Sequence, residues 1–270
     1  MKSILLHIYD DVDLGHRVAA AIALARAFDA EVACLQVTPL PDYITVDPFG
    51  GMYAYQPIMD EIRERETHIR ERTLAQIDGA GLRSIWEQVD GNIAAGLIEA
   101  GALNDVTILS QPRRGHCEGI RPVKVIPEVA TKGVAPVLAL PAGEHRVDPQ
   151  AVAAIAWNGS AQSARALRAS LPLVARAAEV HLIEVTGRHH AIAVEAAARF
   201  LELRGITAAI RKVDSDGRAV SDALRDATLA LGAGLLVMGA YGHSRMTEIV
   251  LGGVSNDLVG WMPIPLLLAH

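Results

Sequence analysis

The sequence predicts an α/β protein in which one chain carries two copies of a parallel sheet covered by helices. Three observations predict this. Apolar runs of strand length alternate with segments whose apolar residues recur at helical spacing. That alternation restarts after a linker rich in Pro and charge. The run Leu235-Leu236-Val237-Met238 is too uniformly apolar for a surface strand, and it leads through Gly239-Ala240-Tyr241-Gly242 towards a helix.

In order, residues 3–9 read as a strand that ends in Tyr9-Asp10-Asp11. Leu14 to Phe28 is alanine-rich with helical periodicity, and Glu31 to Val37 is a second strand. Residues 39–57 hold four prolines, two glycines and the tyrosines Tyr43, Tyr53 and Tyr55, the composition of an irregular excursion. A long helix follows through Ile58, Ile62, Ile69, Leu74 and Ile77, with a solvated charged face over 60–72. Then come a strand over 82–89, a helix over 93–103, a strand over 106–110, a helix over 122–132 and a strand over 136–140. After the linker 141–150 the predicted elements are strand 151–157, helix 160–177, strand 180–185, helix 189–204, strand 207–213, helix 220–231, the glycine stretch, and strand 264–269.

The restart is an internal duplication. Ala30 to Thr38 lies 148 residues before Ala178 to Thr186, and five of the nine residues agree. The same offset pairs Tyr9 with Trp157 and Asp10 with Asn158. Near the ends of the halves the offset is 129, pairing Asp105–Leu109 with Gly234–Met238 and Pro136 with Pro265. The 39–57 excursion accounts for most of the difference. The expected units are 1–142 and 150–270.

Composition narrows the function classes. The chain has 270 residues, 51% of them hydrophobic, which is ample for two cores. A net charge of -6 argues against nucleic acid as a partner. Two distant cysteines, Cys34 and Cys117, form no CxxC pair, and sparse cysteine fits a reducing cytoplasm. No apolar stretch reaches membrane-spanning length. The expected protein is cytoplasmic, with neither a membrane nor a nucleic acid as partner.

The glycine stretch carries the sharpest functional signal. Gly239 and Gly242 allow a tight turn, and Gly252-Gly253-Val254-Ser255 opens a helix whose unpaired N–H groups suit a phosphate. The spacing Gly239-x2-Gly242-x9-Gly252 resembles the signature of the universal stress protein family, G-x2-G-x9-G followed by Ser or Thr, a loop that wraps the phosphates of ATP. Here Gly253 replaces the Ser or Thr, and Ser255 lies two residues on.

The resemblance covers nearly the whole chain. It implies a flavodoxin-like or adenine-nucleotide α-hydrolase-like sheet in each half, an adenine nucleotide (ATP, with magnesium, or AMP) as ligand in members that keep the site, and pairing of units. It carries the nucleotide site onto Asn158 where the family has Asp, onto the Val185 backbone at the second strand end, and onto Met238, Gly239, Gly242, Gly252, Gly253, Val254 and Ser255. Asn158 keeps hydrogen-bonding capacity without the charge a metal ion would favour. In the first half the 129 offset sets Ser110, Arg113, Val123 and Lys124 at the loop positions, so the cradle is lost while Asp10 and Asp11 remain. The pairing implied is an intrachain pseudo-dimer through the edge strands 136–140 and 264–269, with a homodimer as the further assembly.

The expected role is stress-response regulation through nucleotide binding, with at most slow ATP hydrolysis, because no general base stands beside the glycine loop. The alternative is an interaction scaffold that binds no nucleotide, favoured by Gly253 and Asn158. The remaining constellations are weaker. His243 and Arg245 lie within reach of a phosphate, Cys117 sits between Arg114 and Arg121, and His189-His190 has no metal-ligand partner in sequence.

Overall fold

A computed structural model describes residues 1–39, 55–112, 125–143, 146–185, 191–240 and 253–270, side chains of 55–58 excepted. The first half runs β1 (Ser3–Ile8), α1 (Leu14–Phe28), β2 (Glu31–Thr38), α2 (Tyr55–Gly79), β3 (Ser84–Asp90), α3 (Ile93–Gly101), β4 (Val106–Ser110), α4 (Val125–Lys132) and β5 (Val137–Leu140). The second runs β6 (Ala153–Trp157), α5 (Ala161–Ala169), α6 (Leu171–Val174), β7 (Val180–Val185), α7 (Val194–Glu202), β8 (Ala208–Val213), α8 (Val220–Ala230), β9 (Leu235–Gly239), α9 (Gly253–Trp261) and β10 (Leu266–Ala269).

The strands form one ten-stranded sheet in the order β3-β2-β1-β4-β5-β10-β9-β6-β7-β8. Each half repeats the same internal order, with its strands parallel. The halves meet where β10 runs antiparallel to β5, pairing Leu266 with Ala139 and Leu268 with Val137. All eight residues of these two short strands are buried. The free edges are β3 and β8, which alternate between half-buried and exposed residues and carry Glu87 and Asp90 on one side, Arg211 and Lys212 on the other. Charged, alternating edges resist further strand addition.

Residues of successive strand positions enter two separate cores. Ile4, Leu6 and Ile8 of β1 join α1 and α2, and the same core continues under α5, α6 and α7. Leu5 faces the opposite core, shared by α3, α4 and α9. Burial on both faces explains the lack of polar alternation in the central strands.

Three predicted helices are shorter than their periodicity suggests. The helix expected over 160–177 is broken at Ser170 into α5 and α6, with Pro172 in the first turn of α6. Proline has no N–H to continue a ladder but fits a first turn. The helix expected from 189 starts at Val194, and residues 186–190 lie outside the described residues. The helix expected over 93–103 is Ile93–Gly101, opened by Asn92, whose side chain accepts from Ala95 N–H. The 39–57 excursion lies almost entirely outside the described residues, and of the expected helix over 122–132, residues 122–124 do.

Candidate functional site

In a sheet of this order the strand order reverses beside β1 and beside β6, and crevices open at the carboxyl ends of the strands there. In the second half the register sets Ile155 level with both Leu182 and Val237. Two residues further along, Trp157 is level with Glu184, so Asn158, Val185 and the Gly239–Ala240 step come together at one rim.

Asn158 is exposed and already has local work. Its Oδ1 accepts from Ser160 N–H at 3.2 Å and Ser160 Oγ–H at 2.7 Å, while Ser160 Oγ accepts from Ser163 N–H at 3.2 Å. Gly159 between them is left-handed at φ +64°, a conformation that disfavours a side chain. Asn158 therefore builds the turn that starts α5. Val185 is half-buried, packed on the core beneath α8 and α9. Met238 lies in the same core, and its side chain is buried.

The two glycines that can be compared differ. A Cβ on Gly239 would lie 2.6 Å from Gln162 C and 2.6 Å from Ser163 N, both backbone atoms of the first turn of α5. Gly239 is thus the point where β9 touches α5. A Cβ on Gly253 would meet no atom within 4 Å among the described residues, and this residue, the first of α9, is exposed. Val254 is half-buried and Ser255 is buried in the first turn of α9. Gly242 and Gly252, with His243 and Arg245, lie outside the described residues, as do Cys117 and His189-His190.

Residues that the sequence reading passed over also sit at this rim. Trp157 Nε1–H donates to Ile192 O at 3.0 Å, which ties the segment before α7 to the end of β6. The His270 ring lies 2.7 Å from Ala240 O through Nδ1, just beyond β9.

The matching rim of the first half is filled from within. Arg17 of α1 is 1% exposed. Its Nε–H donates to His7 O at 3.1 Å, and its Nη2–H to Tyr9 O at 3.0 Å. Its Nη1 donates to both Asp11 carboxylate oxygens, at 3.0 and 2.9 Å, and to Ser110 Oγ at 2.9 Å. One guanidinium thus bridges the ends of β1 and β4, where the crevice would open. Asp11, which the sequence leaves at the strand end beside a lost cradle, is the counter-charge of Arg17. The signal for Arg17 was its place in the apolar stripe with Leu14, Val18, Ala21 and Leu24. His7, below this cluster, is held neutral, its pKa lowered from 6.5 to about 3 by burial and then by the Arg17 charge. At the second strand end, Arg63 donates to Thr38 Oγ1 at 3.1 Å, Glu66 at 2.8 Å and Asp90 at 2.7 Å, closing that end with α2.

No family model matches the sequence, and no curated protein matches it significantly. Solved structures do. A universal stress protein from Archaeoglobus fulgidus DSM 4304 superposes with a TM-score of 0.78 at 17% identity, over 99% of this chain and 96% of that one. This chain has the universal stress protein fold. A protein assigned to the universal stress proteins from Pseudomonas aeruginosa UCBPP-PA14 gives a TM-score of 0.56 at 16% identity, over 100% of this chain and 93% of that one. A functionally unknown protein from Pseudomonas aeruginosa PAO1 gives 0.58 at 15% identity, over 100% and 92%. All three match at nearly full length, so the universal stress protein fold here extends over both halves of the sheet. Among the described residues, no helix is long and apolar enough to cross a membrane, and no group of three His, Cys, Asp or Glu side chains is placed to hold a metal ion.

Proposed function

We propose that this chain is a universal stress protein of the tandem type, with units 1–142 and 150–270, that binds an adenine nucleotide at the rim of the second unit. The observation that carries this reading is Gly239-x2-Gly242-x9-Gly252 set between β9 and α9, beside the ends of β6 and β7. ATP, with magnesium held by its own phosphates rather than by Asn158, is the ligand that spacing suits. The phosphates would meet the first turn of α9 at Gly253 and Val254. The first unit, its crevice filled by Arg17, is the structural partner, and the β5–β10 pairing supports a pseudo-dimer within one chain. The role is regulation by nucleotide occupancy in a cytoplasmic stress response. Turnover of ATP is slow, below about 1 per second.

The test is calorimetric titration of nucleotide-free protein with ATP, with and without magnesium, alongside Gly252→Val. The expected result is one site of micromolar affinity that the variant abolishes. Absence of both heat and thermal stabilisation by ATP would refute it. A second reading, an interaction scaffold that binds no nucleotide, draws support from three features: Asn158 Oδ1 is engaged by Ser160, Gly253 brings no hydroxyl, and Ser255 is buried. The same titration separates the two.

A further inference from the structure

Gln111 follows β4 in the first half, yet its side chain belongs to the second. It is 4% exposed, and its own N–H donates to Leu140 O at 2.7 Å. In one orientation of the amide Nε2–H donates to Ala139 O at 3.4 Å; turned over, Nε2–H makes two shorter bonds, to Val259 O at 3.2 Å and to Met262 O at 3.2 Å, and the second orientation is the better satisfied. Val259 is in the last turn of α9 and Met262 is the residue after it. Carbonyls at a helix end have no partner within the helix, and an amide is a suitable donor for them.

The duplication makes this contact informative. The position matching Gln111 in the second half is Ala240, which is fully buried and has no side-chain donor to offer. The cap therefore runs one way, from the first half to the helix that follows the glycine loop. A helix of nine residues owes little of its order to its own ladder. The buried side chains Leu258 and Val259 hold one face of α9. From α8, Ser221 Oγ–H donates to Asp257 Oδ2 at 3.0 Å, and Arg225 stacks 4.8 Å from the Trp261 ring centre. Gln111 adds a tie to the rear of the helix from across the β5–β10 seam.

We infer that the first half orders α9, and through it the phosphate-facing end at Gly253, by this one-way cap from Gln111. Gln111 is a positioning residue, about one helix length from any phosphate. The cap stands on the geometry alone; its effect on affinity rests on the nucleotide reading above.

The test uses the full chain with Gln111→Met, which keeps the bulk and loses the donor, and Gln111→Glu, which adds a negative charge beside carbonyls that repel it. Two readouts are taken: hydrogen exchange of the α9 amides against those of α7, and the ATP dissociation constant. Faster exchange confined to α9 is expected, with ATP affinity falling about five- to tenfold in the Met variant and further in the Glu variant. Should the Glu variant fail to fold, the Met variant carries both readouts. Wild-type exchange in α9 of the Met variant overturns the cap. Faster α9 exchange with unchanged ATP affinity overturns its link to the phosphate end, as does a general rise that includes α7. If the wild-type chain binds no ATP, the nucleotide reading fails, and the exchange comparison alone still decides whether Gln111 holds α9.

Discussion

Gly239→Ala separates a glycine needed for packing from one needed for a ligand. The added Cβ would sit 2.6 Å from two backbone atoms of α5, Gln162 C and Ser163 N, and 2.9 Å from Gln162 Cβ. Ordinary contact begins near 3.4 Å, so α5 or β9 must yield by about 0.8 Å. Neither can yield cheaply. The atoms in the way belong to a helical backbone, and that turn is fixed by the Ser160 cap and the Asn158 turn. β9 is held between β6 and β10. Overpacking of this kind costs about 1–3 kcal/mol. Urea unfolding of nucleotide-free protein measures it, as a fall in midpoint at constant slope. A loss below about 0.5 kcal/mol, the size of an ordinary surface change, would refute the close approach of β9 and α5.

Gly253→Ser is expected to leave stability within about 0.5 kcal/mol, because its Cβ meets no atom within 4 Å among the described residues, and to raise ATP affinity about tenfold by supplying one hydroxyl bond to a phosphate; calorimetry checks it. Arg17→Met leaves the His7 and Tyr9 carbonyls and Ser110 without their donor, while the exposed Asp11 carboxylate turns to water, and should cost about 1–3 kcal/mol in urea unfolding. His7 gives an acid-sensitive component. Its folded pKa lies below its ordinary 6.5, so the folded chain refuses a proton that the unfolded chain takes, and stability is lost as pH falls below that value. Between pH 6.5 and pH 5 the loss should be about 2 kcal/mol, and His7→Leu should remove that slope, as read from urea midpoints across the range.

Much of the fold was legible because one signal dominates each element. The apolar stripe of α1 sets its bounds at Leu14 and Phe28, and the uniform run of β4 sets Val106 to Ser110. The break at Ser170 was less legible, since Pro172 sits within an uninterrupted apolar period and fits the first turn of a new helix. At the site, the glycines announced a turn, but Gly239 did not announce what it touches, because Gln162 and Ser163 are brought there by the crossover of α5. Met238 is a different case. Strand alternation already separates Leu236 and Met238 from Val237, and the structure sends the first two into one core and Val237 into the other. Arg17 and Gln111 were hidden for a shared reason. Each is a polar side chain with a partner far along the chain, Ser110 for Arg17 and the end of α9 for Gln111, and no local period encodes such partners.

The seam between β5 and β10 joins two unlike surfaces within a single polypeptide. Had two separate identical chains met there, every substitution would have appeared on both sides at once, and any residue that plugged one rim would have plugged its twin. In the joined chain each substitution is entered once. Arg17 can lock the end of β1 while its counterpart by the 148 offset, Arg165, stays exposed on α5. Gln111 can reach across while Ala240 does not reach back. The contact also needs no minimum protein concentration, since its two sides are never free to dilute apart. The two rims are thereby free to diverge, one crossed by Arg17 and the other not.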